Sequence, residues 1–319
     1  MFRLFLMLAL FGSLAGAEDF RGLWVTRWDY RSASDVARIL EEAHSLGATD
    51  VMWQCRGQAD AYYESALEPW GQELGGTPTF DPLAVAVHEA HKRGLRIHAW
   101  VNVFPLWKGT VPPRDAEHPF HSKPAWRLMD DLGNVQQLHD HYVIMNPVLP
   151  EVHDHISRVL TDIVQRYDVD GLHLDYIRFV SETLDSTRFY PGDAKSLALF
   201  AQRSGIRNVR SSDDRAAYRA FIRTRITELV TRLGREIRAI DPDIEYSAAV
   251  WRRPDLARDQ FLQDAESWLR DGILDRAMPM IYTDNDETYA ADLGAWKTAC
   301  PGAEITPGIG AYKHTDPQQ

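Results

Sequence analysis

The chain has 319 residues, 45% hydrophobic and 25% charged, with 35 Lys and Arg against 46 Asp and Glu and a formal net charge of −11. This is an ordinary globular balance, sufficient for one large domain. The acidic surplus argues against nucleic acid or an anionic membrane surface as a partner.

The first 17 residues read as a signal peptide: Arg3, an apolar run over residues 4–14, then the small-residue site Ala15-Gly16-Ala17. The run is too short to span a membrane, and no later segment is apolar enough. No Cys follows the cleavage site, which argues against a lipid anchor. The expectation is an exported protein, periplasmic or extracellular, with residues 18–319 forming one domain. Cys55 and Cys300 are the two cysteines. One ends an early strand and the other precedes a late one, which argues against a disulfide between them.

Beyond residue 20 the apolar pattern alternates between strand and helix periods. Strand patterns cover residues 21–28, 50–56, 96–104, 169–177, 244–251, 276–283 and 304–312. Helical patterns cover 33–46, with Ser34 as cap and Gly47 as stop, and 82–93, behind Asp81 with Pro82 in first position. Four more cover 151–167, 212–239, 258–271 and 287–298, the last with Asp286 as its capper. Alternation of this kind implies a parallel sheet.

One face of each of several strands is polar. His98, Trp100 and Asn102 share a face, as do Gln54 and Arg56, Ser247 and Trp251, and Tyr282 and Asp284. On 169–177, Gly171, His173 and Asp175 face one way and Leu172, Leu174 and Tyr176 the other. Doubly wound sheets bury both faces in apolar layers, whereas a barrel gathers polar groups at the C-terminal ends of its strands. The fold class is therefore α/β, a TIM-type (β/α) barrel. Seven strand patterns are visible, so the eighth β/α unit is expected to be missing, and segments 21–28 and 304–312 are expected not to pair. The long connections 57–80 and 105–150 follow the second and third strands and are expected to build a cleft.

Several motifs occur in order along this frame: Arg21-Gly22-Leu23-Trp24-Val25-Thr26; Gln54-Cys55-Arg56 with Asp60-Ala61-Tyr62; and Ala90-His91-Lys92-Arg93-Gly94-Leu95 running into His98-Ala99-Trp100-Val101-Asn102. Asn146-Pro147 and Pro150-Glu151-Val152 then precede Tyr167-Asp168-Val169-Asp170-Gly171, and Trp251-Arg252 and Met278-Pro279-Met280-Ile281-Tyr282 follow. Together they resemble the glycosyl hydrolase-like 10 family of exported bacterial (β/α)-barrel proteins, over about residues 20 to 312. The resemblance implies glycosidase chemistry on a carbohydrate, with bacterial cell-wall glycan as one substrate class. Two features differ from the family: the eighth strand, and the paired acidic residues that commonly follow the fourth strand, where Asp175 is followed by Tyr176.

Glycoside hydrolysis usually needs two carboxylates. Asp175 is the first candidate. Its strand is similar to the nucleophile strand of the alpha-amylase superfamily, with His173 where those enzymes carry Arg. His173 and Arg178 are candidates to keep it ionised. The fifth strand ends in Val250-Trp251, without the Glu of amylase-like enzymes. Asp284 is therefore the second catalytic candidate, with Asp60 outside it. Trp100, Trp251, Tyr282 and Tyr312 are expected to stack on sugar faces. Arg27, Arg56, His98 and Asn102 are expected to bind hydroxyls, and His141 to touch substrate from its loop. No cofactor is expected.

Six of the twelve histidines fall within residues 118–155, including the pairs His139/His141 and His153/His155. A metal site is conceivable there, but His153 and His155 stand at i and i+2 of a helical pattern and diverge. No metal is assigned. The rival readings are a non-catalytic carbohydrate-binding barrel and a metal-dependent hydrolase such as a deacetylase.

Overall fold

A computed structural model describes residues 20–313; the expected signal peptide lies outside them. The elements run β1 (Gly22–Val25), α1 (Ala33–Ser45), β2 (Asp50–Arg56), α2 (Pro82–His91), β3 (Arg96–Asn102), β4 (Pro105–Lys108), α3 (Pro119–Ser122), β5 (Tyr142–Ile144) and α4 (Pro150–Arg166). They continue with β6 (Gly171–Asp175), α5 (Ala194–Ser204), α6 (Ser212–Ile240), β7 (Glu245–Val250), α7 (Pro254–Asp259), α8 (Ala265–Arg270), β8 (Arg276–Ile281), α9 (Asp286–Ala299), β9 (Glu304–Ile305) and β10 (Gly308–Ile309).

One parallel sheet runs β1-β2-β3-β6-β7-β8-β10, with β9 also on β8. The seven expected strands are all present. The last is split in two, because the Thr306-Pro307 step interrupts it and proline has no N–H for the ladder. Among the described residues β1 and β10 do not pair, so the sheet is an open, curled barrel. Side chains cross the seam instead: a Cβ built on Gly308 would lie 2.9 Å from the Trp24 ring.

The register sets the layers. Trp24 lies beside Met52, Met52 beside His98, and His98 beside Gly171. The next layer is Gln54, Trp100, His173 and Ser247, and above it Asn102 pairs with Asp175. Gly171 is glycine for a physical reason: a Cβ there would sit 2.0 Å from the His98 ring. The opposite faces carry Val51, Trp53, Ile97, Leu172, Leu174 and Tyr246, which are fully buried in the main core beneath the helices.

Local signals account for most helix ends. Asp81 caps α2, its carboxylate accepting from Leu83 N and Ala84 N, with Pro82 in the first turn. For α1 the capping residue is Ser32, not Ser34: Ser32 and Asp35 form a reciprocal capping box. For α9 it is Asn285, not Asp286. The expected helix 258–271 is two short helices, α7 and α8, broken where Leu262 takes φ +54. Helix α5 lies outside the sequence pattern, although Asp193 caps it and Gly205 ends it at φ +78. The 105–150 connection is also structured, around the antiparallel β4–β5 pair.

Candidate functional site

Two clefts open at the C-terminal end of the sheet and share Trp100, Asp175 and Tyr282. The first, about 700 Å³, follows the open seam and is walled by Phe20, Trp24, Met52, Met278, Ile309 and Tyr312. The second, about 540 Å³, carries more charged side chains, with Trp28, Lys108, His141, Tyr142, Arg178 and Trp251 in its wall. Asp175 is the one acidic residue common to both; Glu182 is the other carboxylate in the second.

Asp175 ends β6 with its side chain 8% exposed and accepts from Tyr176 N at 2.6 Å. Burial dominates its electrostatics and pushes the carboxyl up to about 6, against weaker opposing pulls from the Tyr176 N–H and the Arg178 charge. His173 does not share in holding Asp175 ionised. It is fully buried, and burial pushes its pKa down to about 3. Its Nε2 accepts from Trp24 Nε1 at 3.1 Å, so the neutral ring carries its proton on Nδ1 and donates to Ser247 Oγ at 2.9 Å.

The chain turns sharply at the next residue. Tyr176 has φ +48, rare for a non-glycine residue and a backbone strain that often marks a functional site. This swings Tyr176 off its expected outward face and into the second cleft, edge-on to Tyr142 at 4.8 Å. Arg178 follows, its guanidinium 4.8 Å from the Tyr176 and Trp251 ring centres and 5.0 Å from that of Phe261. It donates to Glu182 Oε1 at 2.7 Å.

Of the other expected sugar contacts, Trp100, Asn102, His141, Trp251 and Tyr282 line the second cleft, and Tyr312, 77% exposed, borders the first. Asn102 accepts from Trp100 Nε1 at 3.1 Å and donates to Gly57 O at 3.0 Å, which holds the Trp100 ring.

The structure leaves several expected residues out of both clefts. Arg56 is fully buried: it forks onto Glu68 at 2.6 and 2.8 Å and donates to the carbonyls of Asn102 and Val103. His98, also fully buried, donates through Nε2 to Asp50 at 2.9 Å. Arg27 is buried against Gln54, Tyr142 and Glu73 and lies 3.9 Å under the Trp28 ring. Asp60 is buried behind the wall, where burial lifts it to about 6. Asp284 is exposed just ahead of the α9 cap and lines neither cleft.

The sequence reading gave no site role to Gln54 and missed Tyr142, Glu182, Lys108 and Trp28. Tyr142 is the most informative of them. Its hydroxyl accepts from Arg27 Nη1 at 3.1 Å and Asn102 Nδ2 at 3.5 Å, leaving its own proton to donate. No spacing signal places residue 142 here, because it arrives on the β4–β5 pair from a long connection.

His153 and His155 have separate partners, whereas His141 N donates to His139 Nδ1 at 2.9 Å. His153 Nε2 donates to Pro147 O at 2.7 Å, and His155 Nε2 to Glu68 at 2.8 Å. Among the described residues no group of three or more His, Cys, Asp or Glu side chains is placed to hold a metal ion. Cys55 and Cys300 are both buried and free. No helix among the described residues is long and apolar enough to cross a membrane.

Comparison with known proteins agrees with this architecture. The model of the family described as glycosyl hydrolase-like 10 matches residues 19–307. Glycosyl hydrolase DigH of Escherichia coli K12 is 27% identical over 308 residues, an alignment spanning 83% of this chain and 66% of DigH. Glycosyl hydrolase YngK of Bacillus subtilis is 27% identical over 266 residues, spanning 77% of this chain and 48% of YngK. The chain thus covers one half to two thirds of the length of these relatives. The glycoside hydrolase domain of PgaB (BpsB) from Bordetella bronchiseptica superimposes with a TM-score of 0.65 at 14% identity, covering 89% of this chain and 81% of that domain. The likeness to that domain is one of fold. The chain belongs to the glycosyl hydrolase-like 10 family.

Proposed function

We propose that this family member is an exported glycoside hydrolase that cleaves glycosidic bonds in a polysaccharide or in the glycan of peptidoglycan, with Asp175 as proton donor. The observation that carries the reading is the position of Asp175: a buried carboxyl with its pKa raised to about 6, at the meeting point of two aromatic-walled clefts. A carboxyl poised this way is partly protonated near neutrality and suits a general acid on the leaving oxygen. Export rests on the signal-peptide pattern of residues 1–17.

The chemistry needs a second carboxylate. Glu182 is better placed than Asp284, since it lines the same cleft and Arg178 pairs with it. Trp100, Trp251 and Tyr282 offer flat faces for sugar rings, and Asn102 and the Tyr142 hydroxyl offer hydrogen bonds. Binding along both clefts would carry a polymer across Asp175 rather than end it there.

The test is release of reducing ends from peptide-free peptidoglycan glycan and from uncharged chitooligosaccharides. Asp175→Asn should cut release by about 10²- to 10⁴-fold while leaving binding to the same glycans intact. Binding without cleavage by the parent protein would favour the non-catalytic barrel instead. Cleavage by Asp175→Asn at the parental rate would remove Asp175 from the chemistry.

A further inference from the structure

We propose that a third cavity, between the segment 179–190 and the first half of α6, binds a small organic anion: one sugar-sized ring bearing a carboxylate or a phosphate. The cavity holds about 290 Å³ and shares no lining residue with either Asp175 cleft. That volume suits a single ring-sized ligand. Phe179, Phe189 and Tyr218 give it flat apolar walls, and Arg188, Arg215 and Arg219 converge on it from two separate segments.

The charges there are unbalanced. Arg215 and Arg219 stand at i and i+4 on α6, a like-charged spacing that helices disfavour. None of the three arginines forms an ion pair among the described residues. Arg219 donates to the carbonyls of Asp259 and Gln260 at 2.7 and 3.1 Å, and Arg215 lies 5.6 Å over the Phe189 ring. Among the described residues the Arg188 guanidinium makes no hydrogen bond, and it meets Asp130, Asp185 and the Tyr190 hydroxyl through longer-range attraction. The one carboxylate in the wall, Asp185, accepts from Thr187 N and Oγ1 at 2.9 and 2.6 Å through Oδ1 and keeps its charge, so the wall sets three cations against one anion.

Burial, and then repulsion from Arg223, shift Arg219 below the ordinary guanidinium value. The Asp259 carboxylate pulls the other way but does not offset them, and no carboxylate pairs with Arg219 among the described residues. Guanidinium forks match carboxylate and phosphate oxygens in pairs. An uncharged sugar would fill the same volume and leave all three arginines without an anionic partner.

The inference does not depend on catalysis at Asp175, because binding reads it directly. Titration calorimetry of the full chain with glucuronate, glucose 6-phosphate and glucose is the test. At least one of the two anions should bind with Kd at or below about 1 mM, and glucose at least tenfold more weakly. Whichever anion binds more tightly identifies the carboxylate or the phosphate source. Arg219→Gln and Arg188→Gln should each weaken the anion at least tenfold. Arg235→Gln, outside the cavity, should leave it unchanged. If Arg219→Gln does not fold, Arg188→Gln decides, since its guanidinium has no internal hydrogen bond to lose. Glucose binding as tightly as the anions, no anion binding near 1 mM, or anion binding indifferent to Arg188→Gln would each overturn the proposal.

Discussion

Asp175 and Glu68 are both buried carboxylates at the C-terminal end of the sheet, and their surroundings treat them in opposite ways. Asp175 meets the Tyr176 N–H, the Arg178 charge and the Trp100 N–H, but burial outweighs all three and lifts it to about 6. Burial acts upward on Glu68 too, but the Arg56 fork and the His155 ring outweigh it and hold the carboxyl down to about 2. The first is the group proposed to exchange a proton with substrate. The second is a permanent anion that ties the 57–80 connection to β2, β3 and α4. Partners, rather than depth, separate a reactive carboxylate from a structural one.

The largest expected effect is on turnover. Asp175→Asn should lower kcat on a cleaved glycan by about 10²- to 10⁴-fold, the range for a lost general acid, while circular dichroism stays native. In the parent, kcat/KM should fall as pH rises through about 6, as Asp175 loses its proton. A profile that instead rises through that pH would assign it the role of base or nucleophile.

Glu68→Gln should act on the fold. It strands Arg56 as an uncompensated buried cation, and a broken buried pair costs about 3–5 kcal/mol. Urea melts at neutral pH would show the loss. An unchanged midpoint would mean that water reaches Arg56.

Stability against pH should set the two groups apart by sign. The Asp175 pKa rises on folding, so ionising it opposes the fold: its favourable contribution is complete below about 4 and lost as pH rises through about 6. Asp175→Asn should therefore be the more stable protein at pH 8, by up to about 3 kcal/mol, with the gap closing near pH 4. The Glu68 pKa falls on folding, so its contribution is complete above its ordinary value of 4.5 and lost as pH drops through about 2. Parallel pH profiles for Asp175→Asn and Glu68→Gln would break the comparison.

The smallest effect belongs to His155→Gln. Glu68 keeps Arg56 and loses one buried hydrogen bond, which costs about 1–3 kcal/mol. A larger loss would point to the packing of the ring on Trp126, 4.9 Å away.

Strand parity was enough to find Asp175, Trp100, Asn102, Trp251 and Tyr282, because alternation states which face a side chain takes. It does not state how deep the side chain lies or what approaches from elsewhere. Arg56 has inward parity, yet Glu68, twelve residues on in a connection without periodicity, claims its guanidinium. His98 is taken in the same way by Asp50 on the neighbouring strand. Parity failed outright at Tyr176, where positive φ breaks the alternation. Asp284 also has inward parity as part of a longer strand, but β8 ends at Ile281 and the rule lapses three residues too early.

What the sequence by itself determined is the order of the parallel strands and of most helices between them, the Asp81 cap of α2, the open run of seven strands and the position of Asp175. All of these follow from contacts between near neighbours, or from a period set by backbone geometry. The tertiary structure alone decided which polar groups are spent on one another and which remain for a ligand. Tyr142 reaches Arg27 across 115 positions, and Glu68 reaches His155 across 87. No local pattern encodes such distances, since each depends on how the whole sheet curls and where the long connections fold back over it.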